Sequence, residues 1–224
     1  MEVINDLRTM DGDSDTALSD EELVTAEKVL AALEEAWLNE KFSPELLQHR
    51  TDLVDCMMEQ ISQMEENLNR LNKTDFRVVV HRMELDRIRY VITSYLRIRL
   101  EKIELFTAHI LEEDSKRNSD DSYLSPAEFR FATDFLASVE SHFRQLALRH
   151  MPTNMQNCDK AKMSVKPNIS SFVFLRSKQN VSGVVVEGDV ENRDEEIDLE
   201  EGSQHIMQYK TVQELVKSGQ IQLI

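Results

Sequence analysis

The sequence predicts a mainly α fold, an N-terminal helical bundle followed by a small β-rich C-terminal domain. Three observations lead there. Apolar residues recur in steps of three and four through long stretches before residue 151, the period of a helix with one buried face. Five glycines and four prolines in 224 residues are too few for a turn-rich all-β chain. After Pro152 the helical period gives way to short runs of β-branched and aromatic residues.

The first helix is expected to open at the capping box Ser19-Asp-Glu-Glu22 and to carry Leu23, Ala26, Leu30, Leu33 and Trp37 on one side. Ser43-Pro44-Glu45 reads as a second start, with Pro at the first helical position, and Leu53, Met57, Ile61, Met64, Leu68 and Leu71 carry that helix to about residue 73. A third runs from about Thr74 to Leu111 and would exceed ~50 Å at about 1.5 Å per residue, more than a small bundle needs unless it bends or breaks. Ser125-Pro126-Ala127-Glu128 restarts the chain, and Phe129, Ala132, Phe135, Leu136, Val139, Phe143 and Leu146 form the fourth helix, stopped at Met151-Pro152.

Residues 152–167 read as a linker. Phe172–Leu175, Val184–Val186, Glu196–Leu199 and His205–Tyr209 are predicted strands, Thr211 caps a short helix with Val212, Leu215 and Val216, and Gly219 turns into a closing strand, Gln220–Ile224. The predicted division is therefore an acidic, disordered tail at 1–18, a helical domain at 19–151, the linker, and a β-rich domain at 168–224. In the last, Phe172, Phe174, Tyr209, Leu215, Ile221 and Leu223 are the expected core and docking residues. So small a domain is marginal alone, so it is expected to dock on something.

The net charge of −16 is concentrated. Residues 1–22 hold eight acids and one base, and residues 187–201 nine acids and one base, so the remainder is close to neutral. Binding a phosphate backbone requires clustered Lys and Arg, and direct sequence-specific nucleic-acid contact is not expected. No apolar stretch approaches the length of a membrane span and no signal-peptide pattern is present, so a soluble chain without membrane contact is expected. Cys56 and Cys158, far apart, read as buried thiols in a reducing compartment.

Catalytic and metal motifs are weak. Asp11, Asp13, Asp15 and Glu22 fall at positions 1, 3, 5 and 12 of an EF-hand loop, but Thr16 stands where glycine is needed, and the segment reads as an acidic tail. The six histidines form no metal-binding pair on one helical face, and no phosphate loop or nucleophile motif occurs. The expectation is a non-enzyme with no catalytic residues, metal site or cofactor.

Helix three is more informative. Apolar residues at 85, 88, 91, 92, 95, 96, 98, 100 and 103 are too many for one stripe. It is expected to pack both in its own bundle and on a partner chain, with Arg87, Arg89, Tyr90, Tyr95, Arg97 and Arg99 at the partner interface. Glu84 with Arg87 and Arg97 with Glu101 have the spacing of intrahelical pairs.

The segments AWLNEKFSPELL (Ala36–Leu47), MEENL (Met64–Leu68), RIRYVITSYLRIRLEKIE (Arg87–Glu104), ALRHMP (Ala147–Pro152) and GSQHIMQYKTVQELVKSGQIQLI (Gly202–Ile224) resemble, in order and spacing, the Sld-five subunits of the eukaryotic GINS DNA-replication complex. The resemblance implies a helical A domain and a β-rich B domain in a heterotetramer with Psf-one, Psf-two and Psf-three. It further implies a nuclear location, chromatin-associated during S phase, and a non-catalytic role in the replicative helicase with the MCM motor ring and Cdc-forty-five. In fungal relatives the tail binds a replisome hub, a role for which Val3, Ile4 and Leu7 are the candidates here. The rival reading is a free-standing acidic adaptor that recruits partners through its tail.

Overall fold

The computed structural model describes residues 25–71, 75–117, 122–156, 164–186 and 195–224. Helix α1 spans Ala26–Phe42, α2 Thr51–Arg70, α3 Phe76–Ser115 and α4 Pro126–Leu146, followed by two 3₁₀ turns at Leu148–His150 and Thr153–Met155. The C-terminal domain contains β1 (Phe172–Ser177), β2 (Val181–Val186), β3 (Glu195–Leu199), β4 (Gln204–Gln208), α5 (Tyr209–Lys217) and β5 (Ile221–Leu223). This is the predicted helical bundle followed by a small domain of antiparallel strands.

Helix α1 begins later than expected. Its cap is Thr25, whose side chain accepts from the Lys28 amide at 3.4 Å, while the predicted capping box at Ser19 lies outside the described residues, as does the EF-hand-like segment. The second predicted start is also corrected. Ser43 terminates α1, donating its amide to the Asn39 carbonyl at 3.0 Å, and residues 43–50 cross the bundle without forming a helix. The reason lies in the carbonyls of that crossing. Lys102 donates to Glu45 O at 2.8 Å and Arg99 to Leu47 O at 2.8 Å, both acceptors that a helix would keep for itself.

Helix α3 resolves its own length problem with a break at Phe106, whose φ of −116° and ψ of 22° leave the helical region. The N-terminal core lies between α1, α2 and α3, where Leu33, Met57, Ile61, Leu85, Ile88, Ile92 and Tyr95 are buried together. Beyond the crossing, Leu46, Ile103, Ile110, Leu124 and Ala132 form a second cluster that holds the start of α4. That start has the predicted capping box: Ser125 Oγ accepts from the Glu128 amide and Glu128 Oε2 accepts from the Ser125 amide. Cys56 is half-buried against the first core rather than fully enclosed, and Cys158 is outside the described residues.

The C-terminal domain has a three-stranded antiparallel sheet in the order β4-β1-β5 and a two-stranded antiparallel pair, β2-β3. Along β1, Val173 and Leu175 point inward to meet Met207, Tyr209, Val212, Ile221 and Leu223. Period-2 alternation turns Phe172 and Phe174 outward. Their expected place in the core is therefore corrected. Helix α5 starts at Tyr209 with Gln208 as its cap, so Thr211 is inside the helix rather than at its cap. Gly219, at φ 75°, makes the turn from α5 into β5 that a residue with a Cβ would strain.

Candidate interaction surfaces

The most constrained chemistry in the chain is a buried ionic network at the crossing. Arg99 is 1 % exposed and uses its whole guanidinium fork. Nε and Nη2 donate to Glu128 at 2.7 and 3.0 Å, Nη1 to Glu40 Oε2 at 3.1 Å and to Leu47 O, and Nη2 also to Tyr123 O at 2.8 Å. Lys102 donates to Glu40 Oε1 at 2.7 Å, Glu40 O at 2.5 Å and Glu45 O at 2.8 Å, which satisfies all three ammonium protons.

Burial and ion pairing oppose each other across this network. Burial would lower the Arg99 pKa, but Glu128 and Glu40 hold it above the ordinary arginine value. For Lys102 burial prevails, and its ammonium sits below the usual lysine range despite Glu40. Burial would raise the Glu128 carboxyl, yet the Arg99 guanidinium and the Ser125 cap bring it below the ordinary carboxylate range.

The same segment docks the C-terminal domain. Glu45 accepts from the Tyr209 hydroxyl at 2.9 Å and from Gln213 Nε2 at 2.7 Å, and pairs with Lys217 at 3.2 Å. Burial first, and then the Glu45 charge, push the Tyr209 hydroxyl well above the ordinary tyrosine range. Lys178 reaches Glu35 on α1 at 2.7 Å, and the Leu223 amide donates to Asn39 Oδ1 at 2.8 Å.

The six residues expected at a partner interface divide into three groups. Arg99 and Tyr95 are buried in the chain's own interior, so a surface role is corrected for both. Tyr95 even accepts the Arg50 amide at 3.2 Å to fix the start of α2. Arg87 and Arg89 are exposed but engaged within the chain: Arg87 pairs with Glu84 and with Glu34 of α1, Arg89 with Asp86 and with Glu65 of α2. Tyr90 and Arg97 are exposed; Tyr90 meets Trp37 edge-on at 6.2 Å, and the expected pair of Arg97 with Glu101 does not form.

Large apolar side chains lie uncovered on three faces. On α3, Phe76 (77 % exposed), Val79, Met83 and Tyr90 follow one another at helical spacing. On α4, of the seven residues in the predicted stripe only Ala132 is buried, while Phe129, Phe143 and Leu146 (65 %) stay exposed. On the outer face of the β4-β1-β5 sheet, Phe172 (69 %) lies beside Phe174, which is directly opposite Ile206 (68 %). Sequence reasoning found the α4 residues as a helical stripe and put Phe172 and Phe174 of β1 inside; it missed Glu40, Glu45, Lys102 and Asn39. For Asn39, Glu40 and Lys102 the signal was faint, polar residues at positions that continue an apolar stripe; Glu45, in the non-helical crossing, gave none.

Among the described residues no group of His, Cys, Asp and Glu is arranged to hold a metal, and no helix is long and apolar enough to cross a membrane. The helical segment, residues 47–147, matches the model of the GINS complex protein helical bundle domain, and residues 167–224 match that of the DNA replication complex GINS protein SLD5 C-terminus. The chain belongs to the SLD5 family of GINS proteins. It is 48 % identical to rat SLD5 over 226 residues, covering all of both chains, and 48 % identical to human SLD5 over 208 residues, 92 % of this chain and 93 % of the human one. SLD5 of Arabidopsis thaliana is 36 % identical over 218 residues, 92 % of this chain and 96 % of the plant one. The match to the SLD5 C-terminus takes in all five strands and α5, the elements docked through Glu45 and Asn39.

Proposed function

We propose that this chain is a non-catalytic structural subunit of a GINS heterotetramer with Psf-one, Psf-two and Psf-three. In this reading the tetramer acts in the nucleus with the MCM motor ring and Cdc-forty-five as part of the replicative helicase, in initiation and elongation of DNA replication. The relatives' name, DNA replication complex GINS protein SLD5, supports the assembly and the process. The observation that carries the reading is the apolar surface left open on α3 and α4. Phe76, Met83, Phe143 and Leu146 are large side chains on rigid helices, and uncovered apolar faces of this kind are what an obligate partner buries. The chain's role is to present these faces in a fixed arrangement, with the Arg99–Glu40–Lys102 network holding the crossing and the docked C-terminal domain in place.

Co-expression with the three other subunits followed by subunit-resolved native mass measurement tests this reading. One copy of each of four chains is the expected mass. A stable monomer that ignores the other three subunits would favour the free-standing adaptor instead.

A further inference from the structure

Between α1, the start of α2 and the C-terminal domain lies an open cleft of about 500 Å³. Ala36 and Leu53 form part of its apolar wall, and four cations, Arg50, Arg117, Lys178 and Lys217, stand around it. Such a gathering runs against the trend of a chain with net charge −16. Lys178 and Lys217 are partly neutralised by Glu35 and Glu45. Arg50 and Arg117 are exposed; Arg117 feels the charge of Glu113 through space, and neither guanidinium is in a close ion pair with a carboxylate of the described residues. Arg117 lies 4.1 Å from the centre of the Tyr123 ring, a position that holds its guanidinium at the rim of the cleft.

We infer that this cleft is a docking groove for an acidic peptide segment, and that its occupant is the chain's own N-terminal stretch, residues 1–22. Charge complementarity is the first argument: those residues carry eight acids and one base, and carboxylates meeting an arginine fork form its strongest hydrogen bonds. The second is tether geometry. The segment joins α1 at Thr25, and Ala36, ten residues into α1, is only ~15 Å further along the helix. Twenty-two residues reach up to ~70 Å when extended, far more than is needed. A tethered ligand acts at an effective concentration in the millimolar range, so individually weak ion pairs suffice to keep the groove occupied. The other acidic run is a poorer candidate, because Glu195–Leu199 is already committed to β3 and paired with β2. Docking in cis would shield the segment from outside partners, and they would have to displace it to bind.

Zero-length carbodiimide crosslinking of the full chain in its assembled complex, read by peptide mass spectrometry, tests this inference. The Glu35–Lys178 and Glu45–Lys217 pairs serve as internal controls for the reagent. The expected result is crosslinks from acids within residues 2–22 to Lys178 and Lys217, falling about tenfold in the Arg50→Ala/Arg117→Ala variant and in high salt. Control crosslinks without any from residues 2–22 would overturn the inference. So would crosslinks from those residues solely to other chains, or a yield that ignores the arginine substitutions.

Discussion

The Leu223 amide, in the last strand, donates to Asn39 Oδ1 on α1 at 2.8 Å, and both residues are buried. That donor is therefore spent on the helical domain rather than on the ladder with β1. The relationship makes the closing strand part of the domain junction.

Two substitutions separate the junction from the core. Asn39→Ala leaves the Leu223 amide buried without an acceptor and should cost about 1–3 kcal/mol. Leu223→Ala, at a side chain fully enclosed by its domain, should cost about 2–5 kcal/mol. Leu223→Pro loses both the amide donor and the side-chain packing and should be worse than either. Thermal melts of the purified complex with subunit-resolved yield check the order; equal losses for all three would contradict it.

The ionic network predicts an asymmetry. Arg99→Met strips Glu128 of its cation and leaves Glu40 with Lys102 alone, and removing one member of such a buried group typically costs about 3–5 kcal/mol. Reversing the exposed Arg97 to Glu should change stability by less than about 0.5 kcal/mol. Denaturant melts of the two variants read the contrast directly.

Acid sensitivity follows from Glu128. Its folded pKa is below the ordinary value of 4.5, so as pH falls the unfolded chain takes up the proton first. The stabilisation is complete above about 4.5 and is lost as pH drops through the folded value. Glu128→Gln should be less stable at neutral pH and show a flatter loss of melting temperature below pH 4.5. A variant with an unchanged acid slope would remove Glu128 from the account.

Arg89 pairs with Glu65 across the α2–α3 junction and with Asp86 on its own helix. Arg89→Glu therefore sets an acid beside two others in an exposed site, where each lost pair is worth about 0–1 kcal/mol. A small drop in melting temperature with assembly unchanged is expected. Loss of assembly without loss of stability would place Arg89 at a partner interface, as the sequence led one to expect.

Much of the architecture was legible because it follows from local pattern. The Ser125-Pro126-Ala127-Glu128 start is written in four consecutive residues, and the alternation of Ile221 and Leu223 with glutamines marks a half-buried strand. The crossing at residues 43–50 was not legible, since Ser43-Pro44-Glu45 is a sound local helix start. It is overridden by Arg99 and Lys102, more than fifty residues away, which claim its carbonyls. Arg99 was misplaced although its position was readable: it continues the stripe Ile88, Ile92, Tyr95 at helical spacing, and its charge argued for the surface when its partners were buried beside it. The apolar stripe of α4 was legible as a helix, but the exposure of Phe129, Phe143 and Leu146 was not, because it depends on what the rest of the chain packs against them.

That uncovered surface is the centre of the account. Phe143→Asp and Leu146→Asp, alone and together, should leave the helicity and melting temperature of the chain within the small range of exposed substitutions, about 0.5 kcal/mol, because neither side chain is buried within it. The same changes should sharply reduce recovery of the four-chain complex in co-expression, since a charge would enter a desolvated interface. Native mass measurement of the double variant decides: loss of the tetramer with an intact fold is the predicted result, and a tetramer formed at full yield would contradict the claim that this face is where the partners bind.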